Sequence, residues 1–158
     1  GSEDSKLHKY KKVAAGRQND DTAGTATKNR KKYSRSGLNE IQAGKYLESI
    51  IAYMEKEKPY LDRNLTIYDL SQQTGISRHH ITQVLNDLHG RNFFTFINEY
   101  RVAEVISMMK DPAFKNYTLL AIAYDSGFNS KSTFNTIFKN ITGLTPTQYL
   151  DRLKTESP

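Results

Sequence analysis

The chain has 158 residues, 37% of them hydrophobic, and no cysteine. That length holds one domain of ordinary size or a smaller one with tails, and the missing thiols exclude a disulfide framework, thiolate metal sites and cysteine nucleophiles. The net charge of +6 invites a nucleic-acid partner but is unevenly placed: residues 1–40 carry ten Lys/Arg against five Asp/Glu, residues 41–158 thirteen against twelve.

Gly1-Ser2, without an initiator Met, is read as a remnant of recombinant cloning. Residues 3 to 37 have no periodic apolar positions and too little apolar surface to offset chain entropy. They are predicted to form a disordered basic tail. Its cluster Lys28, Arg30, Lys31, Lys32 and Arg35 is first a solvated linker. The alternatives are an arm on the DNA backbone or a stub beside an anionic membrane surface. No signal peptide and no run of about 18 apolar residues is visible.

Residues 38–59 are predicted to hold an N-terminal helix. Leu47, Ile50, Ile51 and Met54 fall at i, i+3, i+4 and i+7, one buried stripe, and Pro59 closes it.

Two stretches then repeat. In the first, Thr66 is an N-cap with Asp69 in the capping-box position. Leu70 faces inward, Gly75 supplies the positive backbone angle of a tight turn, and Ser77 caps a second helix. On that helix Ile81, Val84, Leu85 and Leu88 form an inner stripe. The wheel places His79, Gln83 and Asn86 opposite, with Thr82 beside them. An outward face of amides and imidazole suits hydrogen bonding to base edges.

Gly90 ends that helix and Asn92 starts another. Phe93, Phe96, Ile97, Tyr100, Ala103, Val105, Ile106 and Met109 are apolar on more than a narrow stripe, which predicts a linking helix buried between two bodies and joining them rigidly. Asp111-Pro112 ends it.

In the second stretch Thr118 and Gly127 stand 52 residues beyond Thr66 and Gly75. Phe134, Ile137, Phe138 and Ile141 stand 53 beyond Ile81, Val84, Leu85 and Leu88, so the second turn carries one extra residue. Ser132, Thr136 and Lys139 point outward, with Asn135 flanking. Thr145-Pro146-Thr147-Gln148 starts a last helix with Pro at its first position and Gln at its third. The expected fold is all-α: two helix-turn-helix subdomains, residues 60–110 with the linking helix and residues 111–154, preceded by the N-terminal helix and the tail.

Several residues of these motifs carry a resemblance: Gly75, Ile76, Ser77, Ile81 and Leu85; then Ile122-Ala123, Gly127-Phe128, Phe134, Phe138-Lys139, Gly143, Pro146 and Tyr149. In order and spacing over about residues 60–152 the chain resembles the AraC/XylS-type DNA-binding domain. It departs at Ser71, where that family usually has a small Ala. The resemblance implies a bacterial transcription factor whose two units occupy successive major-groove segments on one DNA face. Carried over by position, His79, Thr82 and Gln83 read bases in the first unit, with Arg78 near the backbone. Lys131, Ser132, Thr133, Asn135 and Thr136 do so in the second, with Lys139 on phosphate. Residues 46–62 resemble the segment preceding this domain in membrane-anchored or sensor-fused regulators.

The implied partners are double-stranded DNA, RNA polymerase, and a second copy through segments outside this chain. The expected site of action is cytoplasmic and DNA-associated, with the full-length protein anchored in the inner membrane in one reading. No cofactor, small-molecule site or metal is expected. His79 and His80 diverge by about 100° on a helix and cannot share a metal as i, i+4 ligands would. Arg101 is read as a structural ion-pair partner. Paired carboxylates on one face, a nucleophile–base pair and a phosphate-cradling loop are all lacking, so no enzyme is expected. The competing reading is a helical protein-interaction module that kept the fold and reads no DNA.

Overall fold

The computed structural model describes residues 38–156, and among them seven α-helices and no strand. Gly1-Ser2, read as a cloning remnant, and the predicted basic tail lie outside the described residues.

The sequence places the helix starts by supplying side-chain acceptors for the free N–H groups of each first turn. Asn39 accepts from the Gln42 amide (2.8 Å) at the head of α1, Glu40–Glu57. Thr66 and Asp69 form the reciprocal capping box of α2, Ile67–Thr74. Ser77 caps α3, Arg78–Val84, which runs on through a π-helical turn, Leu85–His89. Asn92 accepts from the Thr95 amide at the head of α4, Phe93–Lys110. Thr118 and Ser130 cap α5, Leu119–Asp125, and α6, Lys131–Thr142. Thr145 and Gln148 bond reciprocally at the head of α7, Pro146–Glu156.

The described residues divide into two bodies. The first holds residues 38–59 and Leu65–Phe96, with α1, α2, α3 and the opening turn of α4. Leu38, Ala43 and Val84 are buried together there, with Tyr46, Leu47 and Leu88 packed on them. Ile50, Met54, Leu70, Ile81 and Leu85 are also fully buried, as the stripes of α1 and α3 require. Leu47, Ile51 and Leu88 are half-buried at the stripe edges.

The second body holds Tyr60–Asn64 and residues 97–156. Its core joins Val102, Val105 and Ile106 of α4 to Ile122 and Ala123 of α5, Phe134 and Phe138 of α6, and Tyr149 of α7. Phe128, Phe134, Phe138 and Tyr149 form a chain of ring contacts 5.2 to 5.7 Å apart. Burying such rings contributes about 2 kcal/mol each. α4 is buried around most of its girth, because Phe96, Ile97, Tyr100, Val102, Ala103, Val105 and Ile106 are all closed from solvent.

Gln83 departs from the wheel. Expected to face outward, it is only 7% exposed, and neither amide atom has a hydrogen-bond partner among the described residues. The wheel gives the direction of a side chain relative to the Ile81–Val84–Leu85 stripe, not what the rest of the chain lays over it. α1 packs along the flank of α3, with the Tyr46 ring 5.7 Å from His80, so the open arc is narrower than a lone helix implies. Arg101 is structural as expected, with the Asp62 carboxylate as a charge partner, and its guanidinium also donates to two backbone carbonyls, those of Tyr60 (2.8 Å) and Asp62 (2.9 Å).

Candidate nucleic-acid interface

Each body carries one helix-turn-helix. In the first, Gly75 closes α2 in the left-handed region (φ 74), and its amide bonds the Ser71 carbonyl. The Ser71 hydroxyl donates to the Ile76 carbonyl at 2.6 Å, pinning the turn from within. This is a bond that the alanine usual at this position cannot make.

With the turn fixed, α3 presents Arg78, His79, Thr82 and Asn86 to solvent. His79 to Asn86 spans about 10 Å of helix axis, which matches a major groove about 12 Å wide. The Arg78 guanidinium lies 5.7 Å from the ring centroid of Tyr68 on α2, a cation–π contact at the mouth of α3. Tyr68 is 54% exposed. It was not among the residues expected at the site, and the one sequence signal for it is the α2 wheel, which sets it opposite inward-facing Leu70.

In the second body α6 presents Lys131, Ser132, Asn135, Thr136 and Lys139, all exposed. Thr133 is half-buried, and its amide donates to the capping Ser130 hydroxyl at 3.2 Å. Lys131 and Asn135 border a cleft of about 290 Å³ whose other walls include Leu119, Leu120 and Pro146. Lys131 therefore stands at the entrance of α6, on the side of α5 and α7. Lys139 lies two turns further along.

The arcs differ in character. That of α3 carries an amide, a hydroxyl and an imidazole beside one guanidinium. That of α6 carries small hydroxyls and one amide between two ammonium groups. His80 is half-buried against Tyr46. His89 is buried edge-on to Phe96, with 5.1 Å between centroids. Among the described residues no three His, Asp or Glu are grouped to hold a metal ion.

Two glycine turns, two capped second helices and two exposed polar arcs define a helix-turn-helix DNA-binding domain. More narrowly, the chain belongs to the AraC-type helix-turn-helix family, whose helix-turn-helix domain profile matches residues 70–152. The TCP pilus virulence regulatory protein of Vibrio cholerae serotype O1 is 43% identical over 61 residues, 39% of this chain and 21% of that protein. An uncharacterized HTH-type transcriptional regulator of Staphylococcus aureus is 29% identical over 90 residues, 57% of this chain and 12% of that protein. The probable transcription factor PqrA of Proteus vulgaris is 26% identical over 105 residues, 65% of this chain and 81% of that protein. The chain thus spans about a fifth or less of the first two relatives. No solved structure matches. These names are those of transcription regulators, and DNA-binding transcription regulation is the role the family supports. No helix among the described residues is long and apolar enough to cross a membrane.

Proposed function

We propose that this chain reads double-stranded DNA in a sequence-specific manner, with α3 and α6 each set in a major-groove segment. The observation that supports it is the pair of exposed arcs, each a short polar face directly above a buried apolar stripe. His79, Thr82 and Asn86 read base edges in the first unit. Ser132, Asn135 and Thr136 do so in the second, with Thr133 at the edge. Lys131, at the entrance of α6, reads bases beside them, while Arg78 and Lys139 contact the DNA backbone. Gln83, closed from solvent, has no part in this reading. Without an Arg among the base readers, and with Asn matched to adenine, the preferred sites contain A·T pairs. RNA polymerase and a second copy of the full-length protein are the protein partners that go with a regulator of transcription.

The test is titration of labelled promoter DNA against specific and scrambled competitors. Specific readout gives a complex that scrambled DNA displaces poorly. A salt-sensitive complex indifferent to competitor sequence would sink the proposal in favour of a non-reading module. Lys139→Ala is expected to weaken all sequences alike and to flatten the logarithmic salt slope by about one.

A further inference from the structure

The connection between α1 and the first helix-turn-helix unit is tied down residue by residue. Lys58 leaves α1 with φ 48, Pro59–Leu61 form a 3-10 turn, and Tyr60–Asn64 fold as part of the second body. Tyr60 is buried, and its ring stacks on Tyr100 with 5.3 Å between centroids. Its hydroxyl donates to Glu104 Oε2 at 3.4 Å. Arg101 reaches across from α4 and spans two carbonyls: Nε donates to Tyr60 and Nη2 to Asp62.

The same five residues close on the turn of the second helix-turn-helix. Arg63 donates from Nε to the Tyr124 carbonyl (3.2 Å), and its guanidinium lies 4.6 Å from the Tyr124 ring centroid. Tyr124 is three residues before the turn glycine. Gly127 itself has φ 102, and a Cβ there would collide with the Tyr60 carbonyl and stand 2.7 Å from Arg101 Nε. So Gly127 is required twice, by its backbone angle and by the close approach of this segment. The two turns are thus secured differently. In the first, the Ser71 hydroxyl bonds Ile76. In the second, Ala123 stands at the matching position and has no hydroxyl, and the turn is one residue longer.

We infer that Tyr60–Asn64 is a strap that sets the angle at which α6 leaves its turn, and that Arg101 is the positioning residue that holds the strap. The inference rests on the DNA-reading proposal and deepens it, since it assigns α6 readout to residues that touch no DNA. A guanidinium can span two carbonyls as a planar fork, which the single ammonium of a lysine cannot do.

Half-site-resolved binding tests this. Duplexes with one half of the site scrambled are titrated with the wild-type chain, Arg101→Met and Arg101→Lys. Because the chain has no cysteine, Asn140→Cys carrying a tethered DNA-cleaving chelate identifies the half that α6 faces. The wild type is expected to lose about tenfold or more in affinity when either half is scrambled. Arg101→Met is expected to keep that penalty at the α3 half and to lose most of it at the α6 half, with Arg101→Lys unable to restore it. Equal loss at both halves, or none at either, overturns the strap and leaves the DNA reading standing. A wild-type chain indifferent to scrambling of both halves overturns both. If Arg101→Met does not fold, Arg63→Ala, at an exposed residue, is put through the same comparison: selective loss at the α6 half supports the strap, and equal loss or none overturns it.

Discussion

Ser71 and Gln83 show how far single residues can be read. Ser71 departs from the small residue usual at its position. Its hydroxyl bond to Ile76 makes the departure intelligible, since such a bond contributes about 1 kcal/mol. Helical periodicity sent Gln83 outward correctly with respect to the Ile81 stripe, yet the fold covers it. Periodicity is a property of one helix, whereas cover is a property of the whole chain, so no wheel could have shown it. An amide closed in without partners costs about 1–3 kcal/mol. Gln83→Met is therefore expected to raise the unfolding free energy by about 1 kcal/mol in urea titrations and to leave DNA sequence preference unchanged. Loss of preference at one A·T pair would return Gln83 to the interface.

At the scale of elements, capping made the starts of α2, α3, α4, α5 and α7 legible, because Thr66, Ser77, Asn92, Thr118 and Thr145 sit one residue before each and satisfy a stated need. The π-helical turn at Leu85–His89 was not legible: Ile81, Val84, Leu85 and Leu88 fit an α-helix throughout. That turn ends on His89. Burial, and then the charge of Arg91, hold its imidazole down at a pKa of about 4. It is neutral in the fold, while in the unfolded chain it titrates near its ordinary value of 6.5. Below that value the unfolded state binds a proton that the folded state refuses. The stability tied to His89 is therefore complete above about pH 6.5 and declines as pH falls toward 4. His89→Leu removes this loss: between pH 7 and pH 4.5 its unfolding free energy is expected to fall by about 2 kcal/mol less than that of the wild type in urea titrations.

For the molecule as a whole, the duplication and the all-α class were legible from two glycine turns at matched offsets, and the family from its resemblance at residues such as Ile122-Ala123, Gly127-Phe128, Phe138-Lys139 and Pro146. The positive charge was misleading by location. Most of it belongs to residues 1–40, while the remainder of the chain is nearly neutral and offers DNA only local ammonium and guanidinium groups. Phosphate attraction, which supplies most non-specific affinity, is correspondingly modest. A single copy is expected to bind weakly in physiological salt. Two copies joined by a dimerising helix are expected to bind a doubled site about a hundredfold tighter or more, read by fluorescence anisotropy. A single copy already saturating a G·C-rich site at nanomolar concentration would contradict this.

The strap bears on how such domains can be exchanged. As a string, the chain reads as two cassettes in tandem. As folded bodies they are not separable strings, because the second body owns residues on both sides of Leu65–Phe96. A single recombination point between the repeats would hand the second turn to a new host without Tyr60–Asn64, leaving Gly127 facing a gap. A graft transfers a working second unit only when those five upstream residues, or a host segment that places a carbonyl in the same spot, travel with it.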